Sequence, residues 1–544
     1  MPTMADAADA AAALSVLAGV WAQMRVIRLV VLVVSSKIQL SAWLRGPDIR
    51  TGILRKATLT AQLVCVAFPG PIAFAASLAT TLALGWHNQL PYEVDNSGTL
   101  GLLLDLNLFV GVAWAWATGH DVHAGWTAAQ PAARSIFATT YVFAALAKLN
   151  DDYVDVRRSS CTVFTLLVGD AFVPAALTRR VLALIGDRGM LTLLKAQLHA
   201  LAALELAIPL LLAWAPPLTA ATVVWAFHLA LGSVAYDYST LAVASLVACA
   251  PPAQVKHLAW LSTAPTARVV ATATAVLGCL RLEVTTGREL GSPEHLVAIV
   301  WLCVLYPALW LADDTPTPAG LFAALAAGDV PLVPAVGGAA LLVATVANGL
   351  GPYLGYKTVA TWAMFSNLHT EGGRSNHWLL PASWQPSAAF VRTLVTVEAT
   401  DVELLRSYHT VSRYNPAEAR ALSPLQAFAA RTGCDLALHA NSVLGRGGST
   451  VAVFPYRVPW WQLRRMVSVE VLPTRRDFFV EYSSTLRSGG ARLQLRRRFE
   501  VRGGKIVAGS DPRLARPPPL LLQKLVSFKS VLVDDRDCGV CHGP

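Results

Sequence analysis

Charge is what this chain of 544 residues has least of: Asp, Glu, Lys and Arg make up 14% of it, against about 25% in soluble domains. A water-surrounded protein of that composition could not cover its surface with polar groups, which excludes an ordinary soluble domain as the whole answer. A disulfide framework is missing too. Of the eight cysteines, Cys65, Cys161, Cys249, Cys279 and Cys303 sit in or beside apolar stretches, where a free thiol behaves as a small hydrophobe. They fix no redox compartment. The opening residues, Met1-Pro2-Thr3-Met4-Ala5-Asp6, have no basic segment leading into a single apolar core and a cleavage site. No removable signal is therefore expected, and insertion falls to the first spans themselves. His and Glu never recur at zinc-ligand spacing, so no metal is expected.

Apolar sequence is what the chain has instead, with 54% hydrophobic residues and a mean hydropathy of +0.48. A bilayer core of about 30 Å asks for about 20 mostly uncharged residues. Leu14 to Val34 is interrupted by Arg25 and Arg28 and is either a span or an interfacial helix. Ala57 to Trp86 carries no charge and is expected to cross despite Pro69 and Pro71. Thr99 to Ala117 holds one acid, Asp105, and Ser135 to Leu149 ends on Lys148. Cys161 to Leu177 is short and surrounds Asp170, while Leu191 to Ala215 contains Lys195, His199 and Glu205. Leu218 to Cys249 is long enough for one crossing and a half with a bend near Asp237. Ala267 to Leu280 is marginal, and Leu296 to Ala312 and Leu332 to Leu350 are good spans. The expectation is an α-helical polytopic membrane bundle of about eight spans. No stretch shows the alternation of a barrel strand.

The composition changes after Thr370. From Arg374 onward about 24 Lys and Arg face about 13 Asp and Glu, which accounts for the whole net charge of +10. Ser449 to Val458, Val467 to Leu472, Phe478 to Ser483 and Arg492 to Val501 alternate or are rich in β-formers. Glycine turns such as Ser488-Gly489-Gly490 and Arg502-Gly503-Gly504-Lys505 bound them. A small β-rich soluble domain is expected over 371–516, after an interfacial region over 1–56 and a helical domain over 57–370. Pro517-Pro518-Pro519 then leads into a tail over 517–544. A basic domain beside a membrane meets anionic lipid headgroups or marks the cytosolic side. Arg496-Arg497-Arg498 lies inside a strand pattern with no reader motif, so nucleic acid is not an expected partner.

Ionisable groups inside spans are costly and point to function by default. Lys148 stands out, in Tyr141-Val-Phe-Ala-Ala-Leu-Ala-Lys148-Leu-Asn150-Asp151-Asp152-Tyr153. An amine flanked by apolar helix is desolvated, which disfavours its ammonium form, and a neutral amine is a usable general base. The plain alternative is a lysine that ends a helix and snorkels, partnered by Asn150 and Asp152. Asp105 and Asp170 are possible partners for Lys148 or Lys195. His228, alone on an apolar helix, reads first as a hydrogen-bonded interior residue. The densest polar run goes from Gly355 through Lys357, Trp362, His369, Glu371 and Arg374 to Asn376, His377 and Trp378, where the last good span ends. It reads as an aromatic belt with a turn at Gly372-Gly373, or equally as the rim of a polar pocket.

Together these segments resemble the HTTM membrane family and its relative, vitamin K-dependent γ-glutamyl carboxylase. The resemblance lies in Tyr141 to Val154, in Glu205 through Pro209, in Phe227-His228 through Gly232 with Tyr238-Ser239, and in Pro352 through His377. Trp461-Gln462-Leu463-Arg464-Arg465 is similar to a motif of the family's soluble domain. The resemblance runs from about Ala57 onward. It implies that Lys148 is the base that deprotonates a vitamin K-like hydroquinone, whose oxygenation drives glutamate carboxylation. Trp86-His87-Asn88 sits where the family has a catalytic loop, which makes His87 the second implied catalytic residue. Asn150, His228, His369, Glu371, Asn376 and His377 are the expected substrate-binding residues, and the bilayer and a lipophilic quinol are the expected partners. The likeness departs at Ala147, where the family has a second lysine, and in the absence of a long luminal region. A non-enzymatic protein that binds or passes a lipid or small solute is the competing class. The last residues, Cys538-Gly-Val-Cys541-His542, match a haem attachment string and the opening of a thiol–disulfide oxidoreductase. They make a redox-active or metal-binding tail a third option.

Overall fold

The computed structural model describes residues 18, 21–22, 25–26, 44, 49–68, 70–88, 96–214, 217–232, 242, 321–358, 361–363, 366–370, 375–385, 394–406, 410–414, 423–434, 448–452, 455–488, 491–519, 523 and 531–532. The expected spans at 267–280 and 296–312, most of 14–34, and 233–249 apart from Ala242 lie outside these residues, as do Glu371 and the Cys538–Cys541 tail. The chain divides into two compact units, one of Met1–Gln89, Asn96–Val142 and Ala203–Ala347, the other of Leu90–Asp95, Phe143–Ala202 and Asn348–Pro544.

The first unit opens with α1 (Ile49–Ala67) and α2 (Pro71–Asn88). These correct the expectation of one span over Ala57–Trp86. Pro71, which has no N–H to lose at a helix start, begins the second helix. The chain reverses there, and the helices pack together through Thr58 Oγ1 to the Thr80 carbonyl (3.0 Å) and Gln62 Nε2 to Thr81 Oγ1 (3.2 Å). Hydropathy averages over such a reversal because both arms are apolar.

Next come α3 (Asn96–Ala117) and α4 (Val122–Ala147). Gly111 and Gly125 let their backbones meet: a Cβ on Gly111 would sit 2.3 Å from the Gly125 carbonyl oxygen. Small residues at such crossings are what helix packing in membranes relies on. Asn107 Nδ2 adds a bond to the Ala129 carbonyl at 2.7 Å. Ala128, Ala129, Gln130, Ala132, Ala133 and Arg134 are all buried on α4, so this stretch is covered round most of its circumference, as in an interior helix. Asp105 of α3 pairs with neither lysine considered above. It accepts from Arg25 at 2.5 Å, and the guanidinium lies 4.8 Å over the Trp21 ring.

Two further helices of this unit are α7 (Ala175–Trp214), which bends at Gly186 and is shared with the second unit, and α8 (Pro217–Gly232). They are followed by α9 (Leu321–Ala327) and α10 (Leu332–Leu354), whose last residues belong to the second unit. Among the described residues three helices, over Gly98–Ala117, Ala175–Ala213 and Leu332–Leu354, are long and apolar enough to cross a membrane. The short stretch around Asp170 is α6 (Ser160–Phe172), thirteen residues long. At about 1.5 Å per residue it falls short of a bilayer core.

The second unit carries α5 (Asp151–Val154), α6 and a C-terminal sheet. Strands β1 (Leu394–Thr400), β4 (Tyr456–Pro459), β5 (Phe478–Ser488), β6 (Ala491–Arg502), β7 (Lys505–Ile506) and β8 (Val531–Leu532) pair antiparallel in the order β7-β6-β5-β1-β4-β8. The expected strand over Ser449–Val458 is split between β4 and β3 (Gly448–Ala452), which pairs separately with β2 (Thr410–Tyr414). Gly503 and Gly504 have φ of 56° and 77° between paired Arg502 and Lys505, the mirror-image turn that glycine allows.

The strand expected over Val467–Leu472 is instead a π-helical turn, Met466–Val471, continuing a helix over Trp460–Arg465. Leu463, Met466, Val467 and Val471 all join the sheet's core, a spacing of three to four residues that only a helix satisfies. The alternation of Val, Ser, Val, Glu and Val imitates a strand.

Burial in this turn pushes the Glu470 carboxyl up to about 8, with Arg465 pulling it back, and its Oε1 has no hydrogen-bond partner among the described residues. The folded state therefore holds a proton that the unfolded chain releases near pH 4–5. Stability from this group falls as pH rises from there to about 8. Glu470→Gln is expected to raise the melting temperature, with a gain that grows between pH 5 and pH 8 and then levels off. Equal gains at pH 5 and pH 8 would contradict it.

Candidate functional site

Lys148 follows the last residue of α4. The helix closes there with short-range bonds, Lys148 N to the Ala145 carbonyl at 3.1 Å and Leu149 N to the Leu146 carbonyl at 3.0 Å. Asn150 then turns extended and caps α5, its Oδ1 accepting from Tyr153 N at 2.8 Å. Asparagine is among the best residues for that position because its short side chain reaches the free N–H groups of the first turn. Asp151 and Asp152 follow in that turn, where the helix dipole favours acids.

Asn150 is fully buried. Its Nδ2 donates to the Ala147 carbonyl at 2.8 Å and to the Ser366 carbonyl at 2.7 Å. Asn376 Nδ2 donates to Asp152 Oδ2 at 2.8 Å and to the Asn367 carbonyl at 2.8 Å, with Asn150 Oδ1 at 3.4 Å. Asn367 in turn accepts from the Ser160 N–H and hydroxyl and donates to the Arg158 carbonyl. The segments over 148–160 and 366–378 are thus knotted by amide side chains. The backbone strains to allow it: Trp362 and Asn367 have φ of 63° and 55°. Such values are uncommon for any residue with a side chain and rarest for bulky ones.

His377 is fixed at both ring nitrogens. Nδ1 accepts from the Leu379 and Leu380 N–H groups, each at 3.1 Å, which leaves the proton on Nε2 to donate to the Leu146 carbonyl at 2.8 Å. Burial lowers its affinity for a second proton, partly offset by the Leu146 carbonyl. The ring of Tyr353 meets it edge-on at 5.1 Å. His369 joins the same region through its backbone, giving its carbonyl to Asn376 N and its N–H to Asn376 Oδ1.

The Lys148 side chain is 3% exposed and does not run out to water. Its Nζ reaches the Ala144 carbonyl at 3.4 Å and lies 5.7 Å from the centre of the Tyr153 ring. The Tyr153 hydroxyl is turned the other way, to the Leu198 carbonyl at 3.1 Å. Asp152, which snorkelling would give to Lys148, pairs with Arg158 at 3.1 Å.

A second buried lysine of this unit, Lys357, belongs to the polar run that starts at Gly355 but carries no expected role there. Gly355, with φ of 74°, turns the chain back over the end of α10, the usual way a helix closes on glycine. Lys357 Nζ thereby reaches Asn348 Oδ1 at 2.6 Å. Burial pushes its amine down to about 8, so a neutral fraction exists near physiological pH. The sequence signal is the glycine one residue past the helix, followed two residues later by a lysine with no acid nearby in the sequence.

His87 and His228 belong to the first unit. His87 Nε2 lies 2.9 Å from Thr51 Oγ1, tying α2 to α1. His228 is buried, with its Nε2 on the Tyr141 hydroxyl. Among the described residues no three His, Cys, Asp or Glu side chains are placed to hold a metal ion. Chemically, the second unit offers a buried amine, Lys148, beside a rigid, hydrogen-bonded amide cluster, and a second desolvated amine, Lys357, held by Asn348. A buried amine can exchange a proton with a weak acid such as a phenol. Comparison with protein-family models, with curated proteins and with solved structures finds no match to this chain.

Proposed function

We propose that this is a multi-pass integral membrane enzyme, with about eight spans, of the HTTM and vitamin K-dependent carboxylase-like kind. In this reading Lys148 is the base. Its neutral amine takes the proton of a lipophilic quinol's hydroxyl, leaving an ammonium group and the quinolate. The quinol comes from the bilayer, and the basic sheet domain faces anionic headgroups. The observation that carries the reading is the burial of Lys148 at 3% exposure, beside a loop whose amide bonds hold it in one arrangement. A lysine with only a capping role would extend its head to water.

One observation favours a second, non-enzymatic reading, in which the protein binds or passes a lipid or small solute. The polar groups of Asn150, Asn376 and His377 are spent on one another and on backbone, as in a purely structural closure. The purified chain in phospholipid nanodiscs, given a reduced lipophilic quinone, oxygen, labelled CO2 and a glutamate peptide, separates the two. Quinol consumption with label entering the peptide supports the enzyme. Saturable quinol binding without consumption supports the second reading and overturns the first.

A further inference from the structure

We propose that the loop from Trp378 to Trp384 is an interfacial anchor, seating the second unit's lysine site at the headgroup level of a bilayer. This rests on the membrane reading above. Trp378, Leu379 and Trp384 are 51%, 62% and 60% exposed. Three large apolar side chains are turned outward within seven residues, and a concentration of exposed apolar groups marks an interaction surface. The loop does not collapse over them because it is stiff. Ser375 Oγ holds the Leu380 carbonyl at 2.7 Å, Pro381 leads into a tight turn over Ala382–Trp384, and Gln385 Nε2 fastens to the Thr370 carbonyl at 2.6 Å.

The loop's attachment fixes its level. At its start, Trp378 N donates to the Leu149 carbonyl at 2.9 Å and His377 Nε2 to that of Leu146, both at the end of α4. At its close, the Gln385 side chain lies 3.4 Å from where a Cβ on Gly355 would stand, just past the end of α10. A membrane-length helix ends where hydrocarbon gives way to headgroups, and tryptophan concentrates at that depth. The Trp378 indole has the matching split character: Nε1 donates to Asp151 Oδ1 at 2.8 Å while half of the ring stays exposed. The first unit repeats the device, with exposed Trp86 and Trp116 on the last turns of α2 and α3.

The test replaces Leu379, Val343 or Lys505 by p-benzoylphenylalanine in the full chain. Each is an exposed position, so the ring adds no core strain, and each variant is checked for a single symmetric peak on size-exclusion chromatography. After reconstitution in phosphatidylcholine nanodiscs, whose zwitterionic headgroups give the basic sheet no anionic surface to meet, and irradiation, intact mass reads covalent lipid adducts. Position 343, midway along α10, reports on the membrane reading; position 505, on a sheet turn, reports background. Adducts of one lipid at 379 and 343 with background at 505 are expected. Adducts at 343 but not 379 overturn the anchor and leave the membrane reading standing, and adducts at neither position overturn both. Yield at 505 equal to that at 379, or chain–chain adducts from 379, also overturns the anchor.

Discussion

Lys148→Met is expected to lower quinol-dependent turnover by about 10²–10⁴-fold, the range that removal of a positioned general base produces. Methionine keeps most of the stem's length and packing while deleting the amine. Lys148 is buried between the end of α4 and the Tyr153 ring. A smaller replacement would leave a cavity and confuse loss of chemistry with loss of fold. Thermal melting should therefore change little while turnover collapses. Quinol binding should survive, because the amine's contribution appears in proton transfer and not in recognition. Lys357→Met serves as the comparison. Its amine is also desolvated, but its Nζ is committed to Asn348 at 2.6 Å, and turnover should stay within about tenfold of the native rate, a loss below what deleting the base produces. If Lys357→Met abolishes turnover and Lys148→Met does not, the base has been assigned to the wrong lysine.

The second large effect concerns stability. Asp105→Leu is expected to cost about 3–5 kcal/mol, because it leaves the Arg25 guanidinium buried without its counter-charge. The pair is closed off on all sides, at 6% and 1% exposure. Arg25 also donates to the Gly101 carbonyl at 3.2 Å, and a Cβ at Gly101 would come within 2.8 Å of its Nη1. The arginine head is thus packed against the α3 backbone. Combining Asp105→Leu with Arg25→Leu should recover most of the loss, since an apolar pair of similar volume in place of a buried ion pair is often neutral or better. Melting in detergent, followed by the amount of monodisperse protein, reads both. A double variant as unstable as the single one would mean that Arg25 and Asp105 contribute through separate contacts.

What the sequence revealed tracks how local the underlying physics is. The helices over Asn96–Ala117 and Leu332–Leu354 were legible because an unbroken apolar run answers one local demand, that of a hydrocarbon slab. The sheet's long hairpin was legible from β-rich runs flanked by paired glycines. Errors appeared where one local pattern suits two structures. Val467–Leu472 alternates like a strand but places its apolar side chains on a helical face, and Pro69 with Pro71 marks a reversal that an average over the window hides. Long-range pairings were beyond reach altogether. Nothing near Asp105 announces Arg25, eighty residues earlier. Lys148, Asn150, Asn376 and His377 were singled out as separate motifs, and the structure joins them. Lys357 was passed over because its burial depends on the reversal at Gly355, which brings it back against Gly351 and Asn348.

The bond from Asn150 to the Ser366 carbonyl joins residues 216 apart. A ribosome adding about 5–20 residues per second needs roughly 10–40 s to travel that distance. Through that interval the nascent chain holds an asparagine whose final acceptor has not been synthesised, at the end of an apolar helix. This bond of the amide cluster can therefore form only after residue 366 has been made. Truncation anywhere before residue 366 yields a product in which the Asn150 amide lacks this acceptor, a buried polar group that costs stability unless another partner is found.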